Sequence, residues 1–369
     1  MQLNRFEVVL GAALVCAACS ADPAARDGSG ALAAVGTADC SAIDTIRTTN
    51  VVEFVASIQH AYSYQPLTIN GMNGLIEAVR ALEASNLERA AGAAQSASYH
   101  LRSLRAGATC YWVLQPPGYP AAVEQAVLLY DPNWRRNLVI EAPHAREDHN
   151  TDSESALVFE RVGAKALAIS GSHRCVQGVA TSGCHLSSEC SHRDPTTGKI
   201  AAIAPAESDP AHSTHNALNA FHLAFRNTDA TELQLHTNLH PEINGDALVS
   251  NGTRYAIPST AADALYAALR APDVNVRSCN DPAFPAMRNA FCGETNTQSL
   301  ASNGAADTCL GRPLSGGDSS VHRFIHLEQS NYQLCQPADL AVNPLCLGSF
   351  EQWADRLGSA VELAFEAKR

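Results

Sequence analysis

Three side chains able to carry protons or bind metal follow an apolar run in residues 137–148, NLVIEAPHARED: His144, Glu147 and Asp148. Other apolar runs end in the same kind of chemistry. SGSHR places His173 and Arg174 after 166–170, ELQLH closes on His236, and RFIHLE closes on Glu328. Runs that merely turn end more often in Gly, Asn or Ser. Two imidazoles and one carboxylate make a three-ligand zinc site with a fourth position open to water, and zinc brings the pKa of that water to about 7. A separate carboxylate must then take the proton and pass it to the leaving group. His144, Glu147 and His236 suit the first task and Glu328 the second. Asp148, four residues after His144, is a rival to Glu147 as ligand. His326 shares a strand face with Glu328 and is its expected partner. Arg174 can grip a carboxylate in a bidentate way or stabilise an oxyanion, with His173 beside it. His212 and His215 read as part of a helix-cap region.

These residues need a scaffold that brings distant strand ends together. The predicted strands are 111–115, 125–130, 137–143, 166–170, 231–236, 246–250 and 321–327. Helical periodicity appears at 50–62, 73–100, 214–226, 259–270 and 349–367. Between 137–143 and 166–170 lies DSESALVFERVGA, a helix that Asp152 or Ser153 can cap. That is a strand–helix–strand crossover, so its two strands are expected to run parallel. The alternation predicts an α/β fold: a mixed, largely parallel central sheet flanked by helices and bonded by disulfides. In such sheets ligands bind beyond the carboxyl ends of the strands.

At these positions the sequence resembles the zinc carboxypeptidases and their relatives, the N-formylglutamate amidohydrolases and aspartoacylase-like deacylases. The resemblance covers roughly residues 125–330. It rests on an H-x-x-E after a strand (His144 to Glu147), a distant strand-end histidine (His236) and a late strand-borne glutamate (Glu328). It implies a bound zinc ion and hydrolysis of an amide or peptide bond. The carboxypeptidases' full substrate-binding set has no counterpart, so exopeptidase specificity is not implied. A chain with fourteen histidines will hold an H-x-x-E by chance; its place after an apolar strand is what gives it weight.

The N-terminus reads as an export signal over 1–18, followed by a flexible tether over 19–39 and a single catalytic domain over 40–369. Val15 to Ser20, VCAACS, resembles a bacterial lipobox with Cys19 as the lipid-bearing residue, although Cys16 stands where leucine is usual. The expected location is the cell envelope, by that anchor, or the secreted fraction. Cys40 and the nine cysteines after it make an even count, which in an exported chain points to disulfides. Cys175, Cys184 and Cys190, beside His185 and His192, form the alternative of a zinc knuckle, but match no C-x-x-C spacing. A net charge of −12 and the lack of a basic tract argue against a nucleic-acid partner. The expected partner is a small molecule or peptide with a carboxylate, and membrane contact is expected only through Cys19. The competing expectation is a non-catalytic exported binding lipoprotein with a degenerate site. A serine hydrolase is disfavoured, since no G-x-S-x-G elbow is present.

Overall fold

Alternation along the apolar runs sorts side chains onto two faces of one sheet. On the strand that leads to His144, Leu138 and Ile140 enter one hydrophobic cluster and Val139, between them, enters another. Both faces are covered, which is why these strands read as continuous apolar runs.

The computed structural model describes residues 40, 44–116, 118–120, 123–145, 147–176, 191–193, 200–202, 208–226, 228–238, 244–253, 260–281, 291–309, 323–335 and 349–367. The chain divides into two units, residues 1–36 and 37–369. The expected export signal (1–18), Cys19 and the tether (19–39) lie outside the described residues. Among the described residues no helix is long and apolar enough to cross a membrane.

In chain order, β1 (Thr45–Thr48) and three helices come first: α1 (Val51–Ala56), α2 (Ile69–Glu83) and α3 (Leu87–Ser96). An antiparallel hairpin follows, β2 (His100–Ala106) and β3 (Thr109–Gln115), then β4 (Val127–Tyr130). The crossover is β5 (Arg136–Ala142), α4 (Thr151–Val162) and β6 (Ala164–Ile169). A separate small antiparallel pair is β7 (Ser191–Arg193) with β8 (Ile200–Ala202). Next come α5 (Ala217–Arg226), β9 (Thr231–Asn238), β10 (Ala247–Ser250), α6 (Ala261–Leu269) and β11 (Val276–Ser278). Last are α7 (Thr297–Ser302), β12 (Phe324–Ser330) and α8 (Phe350–Ala364).

Among the described residues ten strands form one mixed sheet, ordered β1-β2-β3-β4-β6-β5-β9-β12-β10-β11. Its centre, β6-β5-β9-β12, is parallel throughout, so four carboxyl ends share one rim. Helices α1, α4, α6 and α8 pack on one face, and α2, α3 and α5 on the other. The crossover is parallel as expected, and α8 buries Phe350, Trp353, Leu357 and Val361.

Two local expectations are corrected. The stretch 73–100 is two helices and the start of β2. Ser85 takes a left-handed φ of 56°, and the Asn86 side chain caps α3 by accepting from the Arg89 N–H. Helix α4 starts one residue before the expected caps, after Asn150 at φ 56°, and Asp152 instead accepts from the Ser153 N–H within the first turn.

Disulfides join Cys40 to Cys110 and Cys279 to Cys292. Cys175 and Cys309 are disulfide-bonded too, which removes Cys175 from a zinc knuckle. Cys184, His185 and Cys190 lie outside the described residues, as does the side chain of His192.

Candidate metal centre

Pro143 cannot continue the ladder of β5, and the chain turns as soon as it leaves the sheet. The carbonyl of His144 accepts from the N–H groups of Glu147 at 2.9 Å and Asp148 at 2.8 Å. This helical turn puts Asp148, four residues on, over the ring of His144. Thr151 secures the turn from the start of α4 through its N–H and Oγ1, both donating to the Asp148 carbonyl. On the next two strands of the sheet, β9 and β12 pair in parallel with His236 opposite Glu328 and Gln234 opposite His326. Partners in register share a face, so these four side chains stand together.

The result is a buried cluster at the sheet's carboxyl rim. His144, Asp148, His236, His326 and Glu328 are each less than one-tenth exposed. The rings of His144 and His236 lie 4.9 Å apart, and those of His236 and His326 lie 4.6 Å apart. His144, Asp148 and His236 can each offer a ligand atom, all within 4.8 Å of one another. A second such group among the described residues shares His236 and adds His326 and Glu328. Both border a cavity of about 440 Å³ that Arg174, His212, Asn296 and Asn331 also line.

The imidazole nitrogens are divided in the same way on both histidines. Nε2 of His144 lies 2.9 Å from Asp209 Oδ1, and Nε2 of His236 lies 3.1 Å from Gln234 Oε1. Each outer partner is an acceptor that a hydrogen on Nε2 satisfies. Both Nδ1 atoms face Asp148 Oδ2, at 3.4 Å from His144 and 3.1 Å from His236. Without a cation a proton must lie between Nδ1 and the carboxylate oxygen; with one, both Nδ1 atoms and that oxygen can serve as ligands. Such convergence suits a cation, and imidazole plus carboxylate is a donor set that zinc takes readily.

The electrostatics show what occupies that position when no metal does. Burial and the Arg174 guanidinium act to lower the pKa of His144, yet Asp209 and Asp148 outweigh them and hold it at about 10. Burial would raise Asp148, but His144 and His236 drive it well below the usual carboxylate range. Asp209 is held low against its burial by His212 and His144. Burial lowers His236, and it lowers His326 further with help from His236. A buried ionised carboxylate therefore retains a proton beside it, and a metal ion would take that proton's place.

The sequence-derived residues fall as follows. His144 and His236 lie in the three-ligand group together with Asp148. Glu147 lines the same cavity but turns its Oε1 to the Arg174 N–H and to His173 Nδ1, each at 2.9 Å, and burial raises its pKa to about 7. Glu328 sits beside His236, with His326 Nε2 3.5 Å from its Oε1. Arg174 brings Nη1 to 3.1 Å from His144 Nδ1 and 3.9 Å from Asp148. His173 is partly exposed, paired with Glu147, and stacks on Tyr62. His212 reaches the cavity and bonds Asp209 Oδ2 at 3.0 Å, while the His215 carbonyl accepts from Leu67 and Tyr64. Sequence reasoning missed Asp209, Gln234 and Asn296. For Asp209 there was a signal: a histidine ligand usually hands its second nitrogen to an acid, and Asp209 stands three residues before His212.

The sequence matches no protein-family model and no curated protein sequence. Among solved structures, the chain is similar to a bacteriophage poly-gamma-glutamate hydrolase, at 11% identity over 64% of this chain and 87% of that one, with a TM-score of 0.32. It is similar to N-formylglutamate amidohydrolase from Ralstonia eutropha JMP134, at 13% identity over 65% and 97%, TM-score 0.36. A third is succinylglutamate desuccinalase from Vibrio parahaemolyticus, at 12% identity over 70% and 75%, TM-score 0.31. These likenesses are weak, and the chemistry of the site has to be argued from its own side chains.

Proposed function

We propose that this chain is a zinc-dependent hydrolase that cleaves an amide or peptide bond next to an anionic group. One observation carries the reading. Two imidazoles whose Nε2 atoms are committed to acceptors turn their Nδ1 atoms to one buried carboxylate, and a further carboxylate stands beside them in the cavity. In this proposal His144, His236 and Asp148 hold the metal, with Asp148 in the place the H-x-x-E pattern assigned to Glu147. Zinc bound there supplies Lewis acidity and acidifies the water it holds.

The other roles belong to the chain. Glu328 takes the proton of the attacking water and delivers it to the leaving nitrogen, with His326 orienting its carboxylate. Arg174, partly exposed beside the ligands, offers N–H donors to the oxygen that gains charge or to a carboxylate on the substrate. Asp209 and Gln234 hold the histidine ligands in the protonation pattern they need. The disulfides favour an oxidising compartment, and we place the protein outside the cytoplasm, anchored through Cys19 or secreted.

The test is zinc content and turnover of N-acylated amino acids and of peptides ending in a carboxylate. Glu328→Gln should keep its zinc and lose roughly 10²- to 10⁴-fold in kcat. Full activity after complete chelation, or an unchanged kcat in Glu328→Gln, defeats the proposal.

A further inference from the structure

One unbroken stretch of chain, residues 291–296, lines the cavity on the side of Glu328. Leu248 and Ser250 on β10 pair with Glu328 and His326 on β12, and partners in register share a face. The stretch bears on that face at three points. Cys292 packs on Leu248. The Cys292 carbonyl accepts from Ser250 Oγ at 2.9 Å. Gly293, at φ +67°, passes so close that an added Cβ would lie 2.7 Å from the His326 ring. His326 Nε2 in turn lies 3.5 Å from Glu328 Oε1. Little apolar burial holds the stretch there: among the described residues, the hydrophobic cluster under it is Leu248 and Cys292, with Cys279 packed against them. The tie is covalent, because Cys292 is bonded to Cys279. Cys279 sits on a firm base. Its N–H donates to the Val249 carbonyl at 3.0 Å and so continues the pairing of β10 with β11. Asn280, the next residue, accepts from the Asn251 N–H at 3.0 Å and donates from Nδ2 to the Thr253 carbonyl at 2.8 Å.

We infer that Cys279 and Cys292 are positioning residues: their disulfide keeps residues 291–296 on the β10–β12 face, and through Gly293 it holds the His326 ring, and with it the Glu328 carboxylate, in place for proton transfer. The effect on turnover rests on the role proposed above for Glu328, whereas the anchoring of the cavity wall does not. A disulfide also stabilises a protein generally, by restricting the unfolded chain, and more so the longer the loop it closes. Cys40–Cys110 spans a sequence separation of 70 against 13 for Cys279–Cys292, and it ties down β3, toward the opposite end of the sheet. If stability alone mattered, losing Cys40–Cys110 would do at least as much harm. If positioning matters, the shorter loop is the one that counts.

The experiment compares the full chain, loaded with zinc, with Cys279→Ala/Cys292→Ala and with Cys40→Ala/Cys110→Ala. Zinc content is read by mass spectrometry, kcat and KM on the N-acetyl amino acid that the native chain cleaves fastest, and backbone protection over 291–296 by hydrogen exchange. Removing Cys279–Cys292 should leave zinc in place, lower kcat about 10- to 100-fold with KM little changed, and cost residues 291–296 their protection. Removing Cys40–Cys110 should change none of these in the folded protein. In a Glu328→Gln background the carboxylate no longer works, so removing Cys279–Cys292 there should lower kcat by at most about 2-fold more. Ser250→Ala, which releases the Cys292 carbonyl, should also lower kcat and protection with zinc retained, and it decides the matter if Cys279→Ala/Cys292→Ala does not fold. Native kcat and protection in the folded variant, an equal loss from both disulfides, or the full loss repeated in Glu328→Gln overturns the inference. A native chain that cleaves none of these amides, yet loses protection over 291–296 only with Cys279–Cys292, would sink the hydrolase reading and leave the anchoring standing.

Discussion

Glu154 offers the sharpest test of how the buried polar groups under the site are arranged. It lies in the first turn of α4, fully buried between the sheet and α8. Its Oε2 accepts from Gln329 Nε2 at 2.8 Å, and Trp353 donates to the other end of the same amide. Gln329 follows Glu328 directly, so this contact secures the strand that carries the proposed proton carrier. Burial, only partly offset by the bonds from Gln329 and Trp353, raises the Glu154 pKa from 4.5 to about 8. The native state therefore keeps a proton that the unfolded chain gives up above about pH 4.5. Below that value both states are protonated and the group costs nothing. As pH rises the unfolded chain ionises first, so stability falls until the native carboxyl ionises too, near pH 8. Between pH 5 and 8 the loss from this one residue is roughly 3 to 4 kcal/mol. Glu154→Gln cannot titrate and still presents an oxygen to Gln329. Urea unfolding of both proteins, disulfides intact, at pH 5, 6.5 and 8 gives the comparison. The stability of the variant minus that of wild type should grow with pH by an amount of that order. Parallel profiles across this range would show that the carboxyl is ionised in the native state, and the argument from burial would fail.

Two further outcomes follow from the site. Asp148→Ala should abolish stoichiometric zinc, measured by mass spectrometry, while Glu147→Ala should retain it; the reverse result restores the H-x-x-E ligand. Gly293→Ala should lower kcat while zinc content holds. Gly293 sits at φ +67°, and an added Cβ would lie 2.7 Å from the His326 ring, displacing the partner of Glu328 as well as straining the backbone by about 1 kcal/mol or more.

Much of the sheet was legible because its centre is buried on both faces. Runs such as VLLY and NLVIEA have no other good place to go, and each apolar run read as a strand contributes one to the sheet. The strands that went unread lie at its two ends. In HLRSLRA, β2 carries Arg102 and Arg105 at a spacing that suits a helix as well, and it follows an alanine-rich helical stretch. Its stability comes from pairing with β1 and β3 rather than from its own pattern. β1 and β11 are four and three residues long, too short for a period to register. The turn between α2 and α3 did carry a local signal in Ser85 and Asn86, but the strong helix formers on either side masked it.

The site shows where such reading stops. Histidines at strand ends were visible because position along an apolar run already says which rim they reach. The choice between Glu147 and Asp148 was not, because it depends on the pitch of one turn. In an extended loop, residues three and four after His144 point in different directions, and neither spacing is preferred. Once the chain turns helically after Pro143, the fourth residue returns over the first, and Asp148 is carried to the ring while Glu147 swings toward His173 and Arg174. Thr151, from the start of α4, sets that turn by holding the Asp148 carbonyl. The chemistry at the rim thus depends on where a helix begins, and this helix begins ahead of both caps that the sequence pattern offered.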